Sequence, residues 1–196
     1  MNTEPLHALK KEVLACRKCG LYATRNQPVF GSGNPEAPIL IVGEAPGFEE
    51  DKTGVAFVGK SGQLLEKILK ACNFSREKEV YLSNIVKCRP PHNRTPSIQE
   101  QAACLPYLEQ QIEIIRPQII VLLGATALKA FFGTTARITR ERGKWKNWLN
   151  YPVMPTYHPS ALLRNPSLKR DTWEDFKKVI LKYRERVDKN HKCPYL

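Results

Sequence analysis

A chain of 196 residues, 42% hydrophobic and 26% charged, has the make-up of a soluble globular protein and is long enough to bury one substantial core. Its 31 Lys and Arg against 19 Asp and Glu give a net charge of +12, a surplus that favours a polyanionic partner, nucleic acid foremost. The most apolar run, 119–132, is broken by Gly124 and Lys129 and falls short of the roughly 20 residues a bilayer needs; no secretory signal opens the chain, so the expectation is a cytoplasmic protein with no membrane contact.

Residues 4–15 have the spacing of a short amphipathic helix leading to Cys16-Arg17-Lys18-Cys19. A loop rich in Gly, Pro and Asn over 26–38 precedes a first strand, Ile39-Leu40-Ile41-Val42, which runs into Gly43-Glu44-Ala45-Pro46-Gly47. Residues 59–72 read as a helix with Leu64, Leu65, Ile68, Leu69 and Cys72 on one face. A second strand, Val80-Tyr81-Leu82-Ser83, ends at Asn84 and gives way to a proline-rich loop over 88–96. Ser97-Ile98-Gln99-Glu100 has capping-box spacing for the next helix, which Pro106 is expected to kink or split. Ile119–Leu123 is a continuous apolar run, as for a strand buried on both faces, and 125–132 reads as a short helix. A last strand, Val153–Tyr157, runs into His158-Pro159-Ser160, and a basic helix covers 171–186. Strands alternating with helices predict one α/β domain over 1–196: three α/β/α layers around a central, mainly parallel four-stranded sheet.

Glu44, Asn84 and His158 are far apart in the chain, yet each follows a strand. Ligands of open parallel sheets bind outside the carboxyl ends of the strands, so the three side chains are expected to share a pocket. The cysteines suggest a second centre. In a reducing compartment they are free thiols or metal ligands rather than disulfides. Cys16 and Cys19 form a C-x-x-C pair, and Cys88 and Cys104 flank the proline-rich loop, so four thiolates could meet at one zinc or one iron–sulfur cluster; spacing does not choose between them. Cys72 lies on an apolar helix face and reads as core, and Cys193 has no evident partner.

These motifs together resemble the family 4 uracil-DNA glycosylases, the iron–sulfur branch of that superfamily. The resemblance rests on Gly43-Glu44-Ala45-Pro46-Gly47, Glu50-Asp51, Phe57-Val58-Gly59, the run from Asn84 through Pro91, Asn93-Arg94, and the run from His158 through Arg164. It implies a [4Fe–4S] cluster on Cys16, Cys19, Cys88 and Cys104. It also implies a pocket for a flipped base that includes Glu44, Ala45 and Pro46, with Phe57 stacking on uracil, Asn84 reading its edge and His158 donating to O2. The best-known branch has an Asp where this chain has Ala45, so the resemblance leaves the activator of the water open, and Glu44 is read here as the essential carboxylate, with Glu50 in support. Ser160, Leu162 and Arg164 would contact DNA, Leu162 as the wedge that fills the stack.

The expected activity is that of a monomeric, monofunctional enzyme that releases uracil from DNA and leaves an abasic site. No lysine sits in a catalytic motif where a Schiff base would form. Two other readings stand beside it. One is a glycosylase for other deaminated bases such as hypoxanthine or xanthine. The other is a non-catalytic, metal-bearing nucleic-acid-binding module, which accounts for the charge and the cysteines but not for Glu44, Asn84 and His158.

Overall fold

The computed structural model describes residues 2–196. Six strands, β1 (Ser32–Gly33), β2 (Ile39–Gly43), β3 (Val80–Asn84), β4 (Ile119–Leu123), β5 (Lys146–Trp148) and β6 (Tyr151–Thr156), form one sheet in the order β1-β3-β2-β4-β6-β5. The inner four are parallel and correspond to the four expected strands. The sheet is wider than expected because β1 and β5 add antiparallel edges of two and three residues. Segments that short carry no readable two-residue period. The turn joining β5 to β6 is Leu149-Asn150, both at positive φ, and lacks the glycine that usually marks such a hairpin.

Alternation along the inner strands sends apolar side chains to both faces. Leu40, Val42, Ile120, Leu122 and Val153 pack with α1 (Thr3–Ala15) and α4 (Ile98–Ile115). Ile39, Ile41, Val121, Leu123 and Met154 pack with α3 (Lys60–Ala71) and α8 (Leu168–Arg186). Two such faces account for the three layers, and for strands that read as unbroken hydrophobic runs. The expected capping box opens α4: Glu100 N–H donates to Ser97 Oγ at 3.1 Å, and Ser97 N–H donates to the Glu100 carboxylate at 2.7 Å. Pro106 does not split that helix, which continues to Ile115. Proline removes only one helical hydrogen bond, and Tyr107, Leu108, Ile112 and Ile115 bury enough apolar surface to carry the helix past it.

Chain order decides where a site can form. From β2 the chain moves outward to β3, then returns to the other side of β2 for β4 and β6. The crossover direction reverses between β2 and β4, which opens a crevice at their carboxyl ends. Among the described residues, no helix is long and apolar enough to cross a membrane.

Candidate active site and thiol cavity

Four strand ends meet at that crevice. Glu44 follows β2, and its carboxylate accepts a hydrogen bond from Thr126 Oγ in α5 (Gly124–Phe132), the helix that begins directly after β4. Gly124 has φ +88°, and a Cβ there would stand 3.0 Å from Cβ of His158, so the ends of β4 and β6 close tightly on each other. Asn84 ends β3 beside Gly43, its register partner on β2. A Cβ on Gly43 would lie 2.5 Å from Asn84 Oδ1 and 2.6 Å from the Phe57 ring, so only glycine lets amide and ring meet there. The Phe57 and His158 rings lie 6.2 Å apart. Asn84 is 3% exposed, and its Oδ1 has no hydrogen-bond partner; among the described residues Ser32 Oγ is the other such buried side-chain atom. A buried acceptor left open at a strand end requires an explanation, and a ligand donor supplies one.

The tautomer of His158 follows from its neighbours. His158 caps α7 (Pro159–Arg164), and its Nδ1 accepts from Ser160 N–H at 3.1 Å with Ser160 Oγ at 2.8 Å. A backbone N–H can only donate, so Nδ1 carries no proton and the neutral ring holds its proton on Nε2. Burial pushes the imidazole down to about 4, the Arg164 cation adds to that shift, and Glu50 opposes it.

Glu50 is buried in α2 (Phe48–Thr53), and its carboxylate accepts from Gly47 N–H at 3.1 Å, Val58 N–H at 2.9 Å and Gly59 N–H at 2.8 Å. These bonds brace the segment that carries Phe57. Ala45 is half-buried against the core and Pro46 is buried beside it. Ser160 is committed to His158, and Arg164 is exposed at the end of α7. Leu162 departs from expectation. It is 1% exposed, packed beneath the short helix, while Leu163 is 47% exposed. Consecutive helical residues point about 100° apart, so a motif read along the sequence does not reveal which leucine faces outward.

The four expected ligand cysteines line one small cavity, together with Val13, Tyr22, Arg25 and Tyr107. Cys16 stands at the end of α1, Cys19 before a single 3₁₀ turn, Cys88 in the loop after β3, and Cys104 within α4. Among the described residues, no three His, Cys, Asp or Glu side chains close around a point as ligands of a single ion do. The donor set suits a thiolate-held group spread over the cavity. Arg25 Nη1 donates to Cys88 Sγ at 2.9 Å, Lys87 N–H to Cys104 Sγ at 3.3 Å and Lys18 N–H to Cys16 Sγ at 3.5 Å. Burial pushes Cys88 up to about 11 and also raises Cys104, so a metal must displace their protons. Cys72 and Cys193 lie in the core on the opposite face of the sheet.

The sequence profile of the Uracil DNA glycosylase superfamily matches residues 30–177. A type-4 uracil-DNA glycosylase from Thermotoga maritima is 49% identical over 180 residues, covering 90% of this chain and 93% of that protein. A type-4 uracil-DNA glycosylase from Sulfurisphaera tokodaii is 45% identical over 184 residues, covering 90% and 84%. One from Saccharolobus solfataricus is 42% identical over 182 residues, covering 89% and 84%. The chain belongs to the type-4 uracil-DNA glycosylases.

In this member of the family, several residues that sequence reasoning passed over hold the site together. Thr126 tethers Glu44, although a threonine early in a helix ordinarily reads as surface. Lys87, 1% exposed, donates to Ser83 Oγ at 2.6 Å, Gln111 Oε1 at 2.7 Å and the Asn84 carbonyl at 2.9 Å. Burial lowers that ammonium to about 8, against the pull of the Cys104 and Cys88 sulfurs. The end of β3 is thereby tied to α4 and to the thiol cavity. Lysine in a strand-end motif gives no sign of this, because most lysines are solvated.

Proposed function

We propose that this type-4 glycosylase is a single-domain monomer that hydrolyses the N-glycosidic bond of uracil in DNA and leaves an abasic site. The names of its relatives support the reaction, and the open acceptor of Asn84 supports the substrate. Uracil N3–H donates to Asn84 Oδ1 while Nδ2 donates to O4. Cytosine offers the reverse pattern and would leave buried polar groups unpaired, which can give large discrimination. Phe57 stacks on the base. Departure of uracil builds negative charge on O2, and the neutral His158 donates Nε2–H there without first losing or gaining a proton. Glu44, tethered by Thr126, provides the negative charge that stabilises the oxocarbenium-like sugar or orients the attacking water. In this reading Glu50 supports the reaction by bracing the Phe57 loop.

Four thiols lining one cavity, Cys16, Cys19, Cys88 and Cys104, support a [4Fe–4S] cluster as the group they would hold, with Arg25 and backbone N–H groups directed at the sulfurs. When bound, the cluster supplies iron–thiolate cross-links between the end of α1, the loop after β3 and α4. Glycosidic hydrolysis transfers no electrons, so the residues around the cavity serve to hold Lys87 and the end of β3. The six unpaired cysteines favour a reducing, cytoplasmic setting.

The test is a panel of oligonucleotides, each with one uracil, hypoxanthine or xanthine, treated with alkali after incubation. Uracil strands break only after alkali, and Asn84→Ala lowers single-turnover uracil release by at least about 10²-fold. Wild-type activity in Asn84→Ala, or release of hypoxanthine ahead of uracil, sinks this reading.

DNA contacts are assigned to Ser160 and Arg164 at α7, with Leu163 as the apolar wedge in place of the buried Leu162. Leu163→Ala is expected to lose about 10-fold more activity on paired than on single-stranded uracil, where there is no stack to open. Leu162→Ala is expected to lower the melting temperature and to affect both substrates alike. A strand-dependent loss in Leu162→Ala alone would return the wedge to that residue.

A further inference from the structure

Phe57 sits at φ +55°, in the left-handed region that a bulky aromatic residue rarely adopts. Such a conformation persists only where the surroundings over-determine it. Here the restraint is explicit. Arg76, in the connection between α3 and β3, donates from Nη1 to the Ala56 carbonyl and from Nη2 to the Phe57 carbonyl, each at 2.7 Å. Its Nε donates to Glu66 Oε2 at 2.8 Å, which holds the guanidinium plane in place. On the other side of the same peptide unit, Val58 N–H donates to Glu50 at 2.9 Å. The 57–58 peptide is therefore held at its oxygen by a cation and at its N–H by a carboxylate. Gly62 completes the enclosure: a Cβ there would lie 2.0 Å from the Phe57 carbonyl oxygen, so only glycine allows α3 to close on it.

We propose that Arg76 is a positioning residue for base excision: with Glu50 it clamps the 57–58 peptide and so fixes the Phe57 ring against Gly43, Asn84 and His158. This rests on the assignment of Phe57 as the stacking ring. Arg76 touches none of the reacting atoms in that assignment. Its effect must pass through Phe57, and this distinguishes it from a residue that merely stabilises the fold. The planar fork matters as much as the charge, because a lysine ammonium cannot span two carbonyls and a carboxylate in one plane.

A double-mutant cycle tests the clamp. Single-turnover uracil release, DNA affinity and iron content are measured for Arg76→Met, Phe57→Ala and the double variant, with Arg76→Lys in parallel. Misplacing a reacting partner by about 1 Å can cost 10²-fold, so Arg76→Met is expected to lose about 10- to 100-fold in rate while DNA affinity and iron stay constant. In the Phe57→Ala background the same change is expected to add less than about 2-fold, since coupled residues are not additive. An undiminished loss in that background overturns the proposal, because Arg76 then acts elsewhere. If Arg76→Met does not fold, the cycle with Arg76→Lys decides on the same terms. Wild-type activity in Phe57→Ala is a different result: it removes the stacking assignment, and the clamp loses its object.

Discussion

Replacing His158 by alanine lowers the single-turnover rate of uracil release by about 10²–10³-fold while affinity for uracil-containing DNA changes little, as expected for loss of one preorganised donor to a developing oxyanion. The reason lies in the tautomer. Ser160 N–H occupies Nδ1, so the proton is already on Nε2 and no reorganisation is needed as charge reaches O2. Burial holds the ring at about 4, and the rate should therefore show no His158 inflection near the ordinary value of about 6.5. It should fall only as the pH approaches about 4, where protonating Nδ1 breaks the contact with Ser160. The same shift makes a stability statement. The folded value lies below the unfolded one, so on acidification the unfolded chain binds the proton first. The His158 contribution is fully present above about pH 6.5 and is lost as the pH falls from there towards 4. Nitrogen chemical shifts of the imidazole provide the check: an imidazolium signal at pH 6 would overturn the neutral-donor mechanism.

Serine at Cys88 or Cys104 abolishes iron binding and lowers the melting temperature, whereas serine at Cys72 or Cys193 leaves the iron content unchanged. Protein purified without oxygen should be brown, with about four irons per chain and broad visible absorption that fades when the cluster is removed. The two groups of cysteines lie on opposite faces of the sheet, so the contrast has a geometric basis. Cys88 and Cys104 are buried thiols that Arg25 and Lys87 N–H already address. Losing the cluster should also slow uracil release, because Lys87 links Cys104 to the Asn84 carbonyl. A colourless protein with one stoichiometric zinc would refute the cluster assignment.

The inner fold was legible in the chain because both faces of the sheet are covered. Ile39–Val42, Val80–Ser83, Ile119–Leu123 and Val153–Thr156 are apolar runs bounded by loops, and such runs have few other uses in a soluble domain. The edge strands were not legible: two or three residues carry no period, and Leu149-Asn150 closes a hairpin without its usual glycine. For the site, the sequence by itself determined which side chains stand at strand ends, and the ordered motifs named the family that the relatives establish. Only the tertiary structure decided what each of those side chains faces. Glu50 turns to backbone N–H groups, Leu162 goes under α7 while Leu163 goes out, and Asn84 keeps an open acceptor. Thr126, Lys87 and Arg76 could not be found from spacing: strand order brings Thr126 to Glu44, Lys87 lies near Asn84 in sequence but is drawn into the interior where it meets Gln111 of α4, and Arg76 reaches Phe57 across α3. Local periodicity records which face of an element is buried, but the partner across a crevice is set by how the chain returns to the sheet, and that information is held in no single stretch of residues.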